Sequence, residues 1–360
     1  MTKFIIKKSD IIHNCEEIMA NTDALVIPTL KADCYGLGAK EVMELLHESC
    51  GIHMFAISRL EESKELVGKG CDLLLLSCYH DMQSIQTIVD NNIICAVDSL
   101  GQARRIGEYA KSVGKTCNVH IKIDTGFGRF GFMPGNLPEI KAVFSIEGIK
   151  VCGMFSHFSS AFSSPIITNN QFETFMTVIS SVKAAGFNPG ICHIANSSGF
   201  ARHKKYHLDA VRIGSLLLGR CPMKHKLNVI KVGRFETEIS DIRKLKKGAN
   251  IGYGNVYTLR KNRKIAILCT GSADGILIKK DYDTFRFTDI LRYGLSVFKM
   301  FFKDNRLRVK INGKTVKSIG RIALTHTMVD VTGIDCKCAD KAVIDISPLY
   351  VSANVEREYI

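Results

Sequence analysis

The sequence predicts an α/β protein, a (β/α)8 TIM barrel followed by a smaller C-terminal β-rich domain. Three observations predict it. Eight short apolar, β-branched runs recur at 25–30, 54–58, 72–77, 93–97, 118–124, 151–156, 191–195 and 209–213. Their apolarity is continuous rather than alternating, as expected of strands buried on both faces of a parallel sheet. The stretches between them, such as 100–114 and 169–186, carry apolar residues at helical spacing and end in Gly, a helix stop signal.

Each element follows in order. Pro28 inside the first run removes a ladder donor and shortens that strand without abolishing it. The remaining seven runs lack proline, and eight strand–helix units in sequence close into a barrel. After Cys221-Pro222 the texture changes to alternation of apolar and polar residues at 229–239, 264–269 and 308–311, without long helical patterns. Asn312-Gly313, between 308–311 and Thr315-Val316, is the strongest hairpin signal in the chain because both residues tolerate positive φ. The expected division is a barrel over 11–228 and a β domain over 229–360, the latter joined by an N-terminal strand within 1–10.

Composition narrows the function classes. The chain has 360 residues, 46% of them hydrophobic and 23% charged, which is globular rather than disordered or fibrous. No run reaches the roughly 18 apolar residues of a membrane span, and residues 1–10 lack a secretory apolar stretch, so no membrane partner and a cytoplasmic location are expected. Thirteen cysteines form no C-x-x-C pair. They read as small buried hydrophobes in a reducing compartment, with neither a metal site nor a disulfide framework. The net charge of +14 is spread in short clusters such as 243–247, without a recognisable nucleic-acid module. A basic surface around an acidic ligand, and no nucleic-acid partner, is the expectation.

Catalytic groups of such barrels sit just beyond the carboxyl ends of the strands. Five of the eight runs end in reactive residues: Lys31-Ala32-Asp33-Cys34-Tyr35-Gly36, Asp124-Thr125-Gly126, His157, Asn196-Ser197-Ser198, and Arg212 leading to Gly214-Ser215. A lysine at a barrel mouth is commonly a surface cation, but it is also the amine that condenses with an aldehyde. Loops after strands seven and eight recurrently bind phosphate in such barrels, and Ser197, Gly214 and Ser215 supply hydroxyls and open backbone N–H groups there. An amine and a phosphate cradle at one mouth point to pyridoxal 5'-phosphate. Gly126-Phe127-Gly128-Arg129-Phe130-Gly131 matches the dinucleotide fingerprint, but it follows the fifth strand and is succeeded by Met133-Pro134-Gly135-Asn136 where a helix should open. A dinucleotide-binding dehydrogenase is therefore disfavoured.

These segments resemble the alanine racemase family of fold-type III pyridoxal-phosphate enzymes, over residues 5–333. Lys31 to Ala39 resembles that family's cofactor-lysine signature. Ile123 to Gly131, His193-Ile194-Ala195-Asn196-Ser197-Ser198 and Val211-Arg212-Ile213-Gly214 resemble its later barrel motifs in order. Ile251-Gly252-Tyr253-Gly254 and Met328-Val329-Asp330-Val331-Thr332 resemble motifs of its β domain. The resemblance implies an isomerase, most simply one that interconverts L- and D-alanine for D-alanine biosynthesis. It implies two proton carriers, Lys31 and Tyr253, on opposite faces of the α-carbon. The family's tyrosine comes from the partner subunit, so a homodimer with the active site at its interface is implied.

By the same resemblance, Arg212 faces the cofactor's ring nitrogen and His157 bridges Arg212 and Tyr253. Arg129 approaches the cofactor's phenolic oxygen and the substrate carboxylate, and Lys122 corresponds to a lysine that many members carry as a carbamate. Tyr35, Ser197, Gly214 and Ser215, with the backbone near Asn196, would hold the phosphate, and the backbone N–H of Leu324 would serve the substrate carboxylate.

The match departs from the family pattern on the substrate side. The glycine-tyrosine-alanine-aspartate-glycine motif reads Gly271-Ser272-Ala273-Asp274-Gly275, and the cysteine-methionine-aspartate stretch reads Ala323-Leu324-Thr325. The last segment is compressed into 346–352, with Tyr350 in place of an entrance tyrosine. Loss of rings from an entry corridor widens it or makes it more polar, which brings serine or a larger amino acid into range as substrate. The rival classes are a barrel-type amino-acid decarboxylase, disfavoured by Arg212 where an acid normally sits, a single-barrel cofactor carrier, which lacks a second domain, and a catalytically decayed homologue.

Overall fold

The protein is described from a computed structural model in residues 2–278, 287–300 and 304–360. These residues form two compact units, one of Lys8–Val232 and one gathering the described residues of Met1–Lys7 and Gly233–Ile360.

In the first unit the eight apolar runs are strands: β2 (Leu25–Pro28), β3 (Met54–Ile57), β4 (Asp72–Leu75), β5 (Ile94–Val97), β6 (Cys117–Lys122), β7 (Ile149–Phe155), β8 (Ile191–His193) and β9 (Ala210–Ile213), numbered after an N-terminal strand β1 (Lys3–Ile6). All pair in parallel in the order β2-β9-β8-β7-β6-β5-β4-β3. A parallel bridge between Thr29 and Ala56, with Leu30 N–H donating to Ala56 O at 2.8 Å, joins the two ends of the sheet. β2 ends at Pro28, whose missing N–H costs nothing at a strand terminus. Ile27, Ile57, Leu74, Cys95, Ile121 and Val211 are fully buried, which accounts for the unbroken apolarity of the runs.

Helices alternate with the strands, except that β3 and β4 are joined by a single 3-10 turn, Leu60–Ser63. Leu100–Ser112 starts on Ser99, whose hydroxyl accepts from Gln102 N. Pro165–Ala184 starts on Ser164, which accepts from Ile167 N, with Pro165 in the first turn. A side-chain oxygen at the cap and a proline with no N–H to strand are both start signals, and the second helix therefore begins four residues before the expected 169.

The second unit is the β-rich domain. Its strands are β10 (Arg234–Leu245), β11 (Arg263–Leu268), β12 (Arg308–Ile311), β13 (Lys314–Lys317), β14 (Thr327–Asp330), β15 (Lys341–Ile344) and β16 (Glu356–Tyr359). β1 joins them, antiparallel to β10 and parallel to β16. Asn312 (φ 47°) and Gly313 (φ 76°) turn β12 into β13, as their sequence demands.

Two expectations fail here. The strand expected from 229 begins only at Arg234, because Ile230 is claimed by Asn14, whose side chain bonds its N–H and its C=O at 2.6 and 2.7 Å. The expected absence of long helices also fails, since Phe287–Met300 is a helix. Its apolar residues Phe287, Ile290, Leu291, Leu295 and Phe298 recur at helical spacing, a pattern interrupted by Gly294, the weakest helix former apart from proline.

Candidate active site

A cavity of about 350 Å³ opens at the carboxyl ends of the barrel strands. Its wall contains four Lys and Arg side chains, Lys31, Lys122, Arg129 and Arg212, together with His157, and no carboxylate. Tyr35, Asn196, Ser197, Gly214 and Ser215 line the same wall, whereas Asp124, Thr125 and Gly126 of the fifth strand end do not. A concave site lined by one sign of charge in a low-dielectric setting draws an anionic ligand.

Lys31 begins an unusual segment. Ala32, Asp33, Cys34 and Tyr35 all adopt left-handed φ, between 48° and 57°, a conformation that costs an L-residue roughly 1–2 kcal/mol each. Surrounding bonds impose it. Glu62 accepts from the backbone N–H of Ala32 and, through its other oxygen, from those of Ser58 and Arg59. Asp33 accepts from Ala39 N at 2.7 Å. The reversed turn places the Tyr35 ring 5.4 Å from the Lys31 ammonium and its hydroxyl against Gly214, where a Cβ would lie 2.0 Å from Tyr35 Oη. Burial, then the nearby Arg129 charge, lowers the Lys31 pKa, although Glu62 opposes them, so the amine is easier to hold neutral than an ordinary lysine.

Asp124 organises the next wall. Its carboxylate accepts from the backbone N–H groups of Gly126, Phe127, Gly128 and Arg129 at 2.8–3.2 Å. Burial works against the charge, yet these four donors keep its pKa below the usual value. The three glycines of the dinucleotide-like motif are explained by this loop, not by a nucleotide. Gly131 at φ 127° sits where a Cβ would come within 2.6 Å of Asp124 N. The loop presents the Arg129 guanidinium 4.4 Å from the Phe127 ring centre. Lys122 lies behind it, buried, with Nζ donating to Leu76 O at 2.7 Å. Desolvation brings its pKa down to about 8, with Cys78 opposing and Arg129 and Arg212 adding to the effect.

Arg212, on β9 and only 2% exposed, is fixed by the barrel interior. Its guanidinium donates to Ser156 O and to His157 Nδ1, at 2.6 and 3.3 Å, and to His193 Nδ1. Burial lowers its pKa to about 9, but all of these partners are acceptors that favour the cation. Burial and the charge of Arg212 hold His157 well below the usual histidine pKa, so it is a neutral acceptor. Ser197 Oγ accepts from Gly214 N and Leu216 N at 3.0 and 3.2 Å, tying the loops after β8 and β9 together. Asn196 caps the helix Ser197–Arg202 by accepting from Gly199 N at 2.9 Å.

Tyr253, Ser272, Leu324 and Thr325 belong to the other unit. Tyr253, 72% exposed, stands on a turn between Gly252 (φ 74°) and Gly254 (φ 70°). Leu324, 71% exposed, accepts through its carbonyl from Ala273 N at 3.0 Å, and Ala323 O accepts from Ser272 N at the same distance. Two of the three departures from the family pattern therefore lie side by side on paired loops. Gly271 lets them close, since a Cβ there would meet Ala323 O and Leu324 O at 2.2 and 2.3 Å. Among the described residues no helix is long and apolar enough to cross a membrane.

Three groups that organise this wall were not singled out from sequence: Glu62, Ser156 and the imidazole of His193. Glu62 has no local signal, because its partners are backbone groups. His193 stands in the motif before Asn196 and was readable there.

A (β/α)8 barrel with a cationic mouth and a lysine just after its first strand, followed in sequence by a β-rich domain, defines a class of two-domain barrel proteins. Comparison with known proteins makes this specific. The alanine racemase N-terminal domain model matches residues 6–222 and the C-terminal domain model matches 232–352. The alanine racemase of Methanococcus maripaludis is 31% identical over 341 residues, covering 92% of this chain and 84% of that protein. The solved alanine racemase of Clostridium difficile 630 superposes with a TM-score of 0.87 at 27% identity, covering 100% of this chain and 95% of that one. The solved Bartonella henselae enzyme, with covalently bound pyridoxal phosphate, shares the fold at a TM-score of 0.81 and 20% identity, over 100% of this chain and 99% of that one. The chain belongs to the alanine racemase family and, as a member, is an isomerase.

Proposed function

We propose that this chain interconverts L- and D-alanine, with pyridoxal 5'-phosphate held on Lys31 and with Lys31 and Tyr253 as the two proton carriers. The observation that carries the reading is the convergence of Lys31, Arg129, Arg212, His157 and Ser197 on one carboxylate-free cavity. The residues fit the cofactor. Arg212 Nε is buried without a partner among the described residues, the wall is cationic enough for a phosphate, and the absence of a side chain at Gly214 lets the Tyr35 hydroxyl approach the same wall.

When bound, the cofactor supplies an aldehyde for Lys31 and a conjugated ring that spreads the electron pair left at the substrate's α-carbon. Tyr35, Ser197, Gly214 and Ser215, with the backbone near Asn196, would hold the phosphate. Arg212 would face the ring nitrogen and offer it donors but no proton, because a guanidinium does not readily give one up. That tempers electron withdrawal and disfavours outcomes such as transamination or decarboxylation. Arg129 orients the substrate carboxylate as a planar fork, with the backbone N–H of Leu324 as a second contact. Lys31, its pKa lowered by burial, takes or returns the α-proton on one face, and Tyr253 does so on the other. His157, already bonded to Arg212, completes the path to Tyr253. The tyrosine comes from a second copy of the chain, so the working form is a homodimer.

Lys122 is the site of a carbamate in this reading. Its neutral amine adds to the carbon of carbon dioxide, one proton is released, and the product is an anion beside Arg129. A pKa near 8 makes that amine available close to neutrality.

Incubation of the purified protein with each L-amino acid in deuterated water tests the function. Loss of the α-proton signal from alanine, with serine as the next substrate because Ser272 and Thr325 make the corridor more polar, is expected. No exchange on any amino acid contradicts the reading, and carbon dioxide release in place of exchange favours the decarboxylase class.

A further inference from the structure

Behind Arg212 lies a chain of histidines that none of the roles above uses. Arg212 Nη1 is bonded to His193 Nδ1, and His193 Nε2 stands 2.9 Å from His120 Nδ1. Both rings are completely buried. His120 Nε2 is buried too, with no hydrogen-bond partner among the described residues. The Phe155 ring lies parallel to that of His193, with centroids 5.1 Å apart and planes within 5°.

The place for His120 is made by the backbone. A bulge in the β6–β7 ladder sets Val119 against Val151 and His120 against Gly153, leaving Cys152 as the extra residue. A Cβ on Gly153 would lie 2.4–2.6 Å from three atoms of the His120 imidazole. Neither the bulge nor the glycine is needed by the strand itself; together they admit this ring.

Donor and acceptor counting then fixes every proton. A guanidinium only donates, so His193 Nδ1 must carry a lone pair. Neutral His193 therefore has its proton on Nε2, and that N–H can only be satisfied by an acceptor at His120 Nδ1. His120 in turn holds its proton on Nε2, which has no acceptor among the described residues, so the histidine chain's one unmet donor lies at the end remote from Arg212. A third proton has no place, because it would set two donors against one another at Arg212 or between the rings.

We propose that His120 is a positioning residue for Arg212: by accepting from His193 it locks His193 in the tautomer that presents a lone pair to the guanidinium. Loss of that acceptor leaves the His193 Nε2–H stranded in the core, and the alternative tautomer turns a donor on Arg212. Burial, reinforced by the charge of Arg212, lowers the His120 pKa to about 3 and the His193 pKa well below normal, which is consistent with two neutral rings. The tautomers follow from geometry alone; only their consequence for turnover rests on the racemase reading.

The test uses full-length protein labelled with ¹⁵N-histidine. Two-bond ¹H–¹⁵N correlations report which ring nitrogen carries the proton. Wild type is expected to show His193 and His120 both protonated on Nε2 and unchanged between pH 5.5 and 8.5. His120→Asn places an amide oxygen where Nδ1 was and is expected to keep the His193 tautomer. His120→Leu is expected to shift it toward the Nδ1–H form and to lower kcat on the order of ten-fold, with KM for the amino acid within about two-fold and with recovery in the Asn variant. A His193 Nδ1–H form in the wild type, or an unchanged His193 tautomer in folded His120→Leu, overturns the proposal. If the Leu variant does not fold, the wild-type and Asn tautomers still decide it. Correct tautomers in a protein that exchanges no amino-acid α-proton would defeat the racemase reading and leave the relay standing.

Discussion

Arg212 and Tyr253 are assigned to the same proton path, yet the protein holds them in opposite ways. Arg212 is 2% exposed and donates to three carbonyls and two imidazoles from neighbouring strand ends. Tyr253 is 72% exposed and is placed by the left-handed backbone of its flanking glycines. In the barrel a side chain's position is decided by its neighbours, so one substitution disturbs several groups. On the β-domain loops the turn backbone decides it, and a substitution acts where it stands. The departures from the family pattern, Ser272, Ala323 to Thr325 and the segment around Tyr350, all belong to the unit that carries Tyr253.

The contrast can be broken first at Lys31. Lys31→Ala removes both the cofactor's anchor and a proton carrier, and kcat should fall by roughly 10³-fold or more, the scale of losing a residue that acts covalently. Visible absorbance of the cofactor and α-proton exchange should vanish together. Gly214→Ala probes the packed wall without touching chemistry. Its Cβ would lie 2.0 Å from Tyr35 Oη, so the phosphate side should open and cofactor affinity fall on the order of ten- to hundred-fold, about 1.4–2.8 kcal/mol. Titration of the cofactor-free protein with pyridoxal phosphate reads this directly, and an unchanged affinity would mean that the wall yields like a loop.

The barrel's buried histidines sharpen the comparison through pH. His120 and His193 are neutral when folded and protonatable when unfolded, so at acid pH the unfolded chain binds protons that the folded chain refuses. Their contribution is fully present above the unfolded histidine value of 6.5 and is lost as pH falls toward about 3, the folded value of His120. Each steepens the loss by up to about 1.4 kcal/mol per pH unit in that window. Denaturant unfolding at pH 7 and 5 measures it, and His120→Leu should flatten the slope. Leu324→Ala is the smallest expected effect. Only its backbone is assigned a role and its side chain is exposed, so kcat/KM should change by less than about two-fold, the range of ordinary surface substitutions.

Most of the barrel was legible in the sequence because its strands are buried on both faces, and every strand-end residue assigned to the cofactor lines one cavity. The left-handed turn at Ala32 to Tyr35 was not legible. Of those residues only Asp33 is of a type that favours positive φ, and the run of four is held by Glu62 and Asp33 through bonds to backbone N–H groups. Asp124 was read only as a strand end, since a carboxylate that binds four consecutive N–H groups leaves no spacing pattern beyond the glycines that accompany it. In the β-rich unit the helix Phe287–Met300 is masked in the sequence by Gly294, and the strand that starts at Arg234 is shortened by the bonds of Asn14 to Ile230, a long-range contact that leaves no local pattern.

The central claim is that Lys31 and Tyr253 serve opposite faces of one α-carbon. Enantiomer-resolved α-proton exchange of Tyr253→Phe in deuterated water tests it most directly, with L- and D-alanine supplied separately. One enantiomer should continue to exchange at the Lys31 face, while exchange of the other and net racemisation fall on the order of 10²–10⁴-fold, with cofactor absorbance unchanged. Equal exchange of both enantiomers, or racemisation at the wild-type rate, would contradict the two-carrier account.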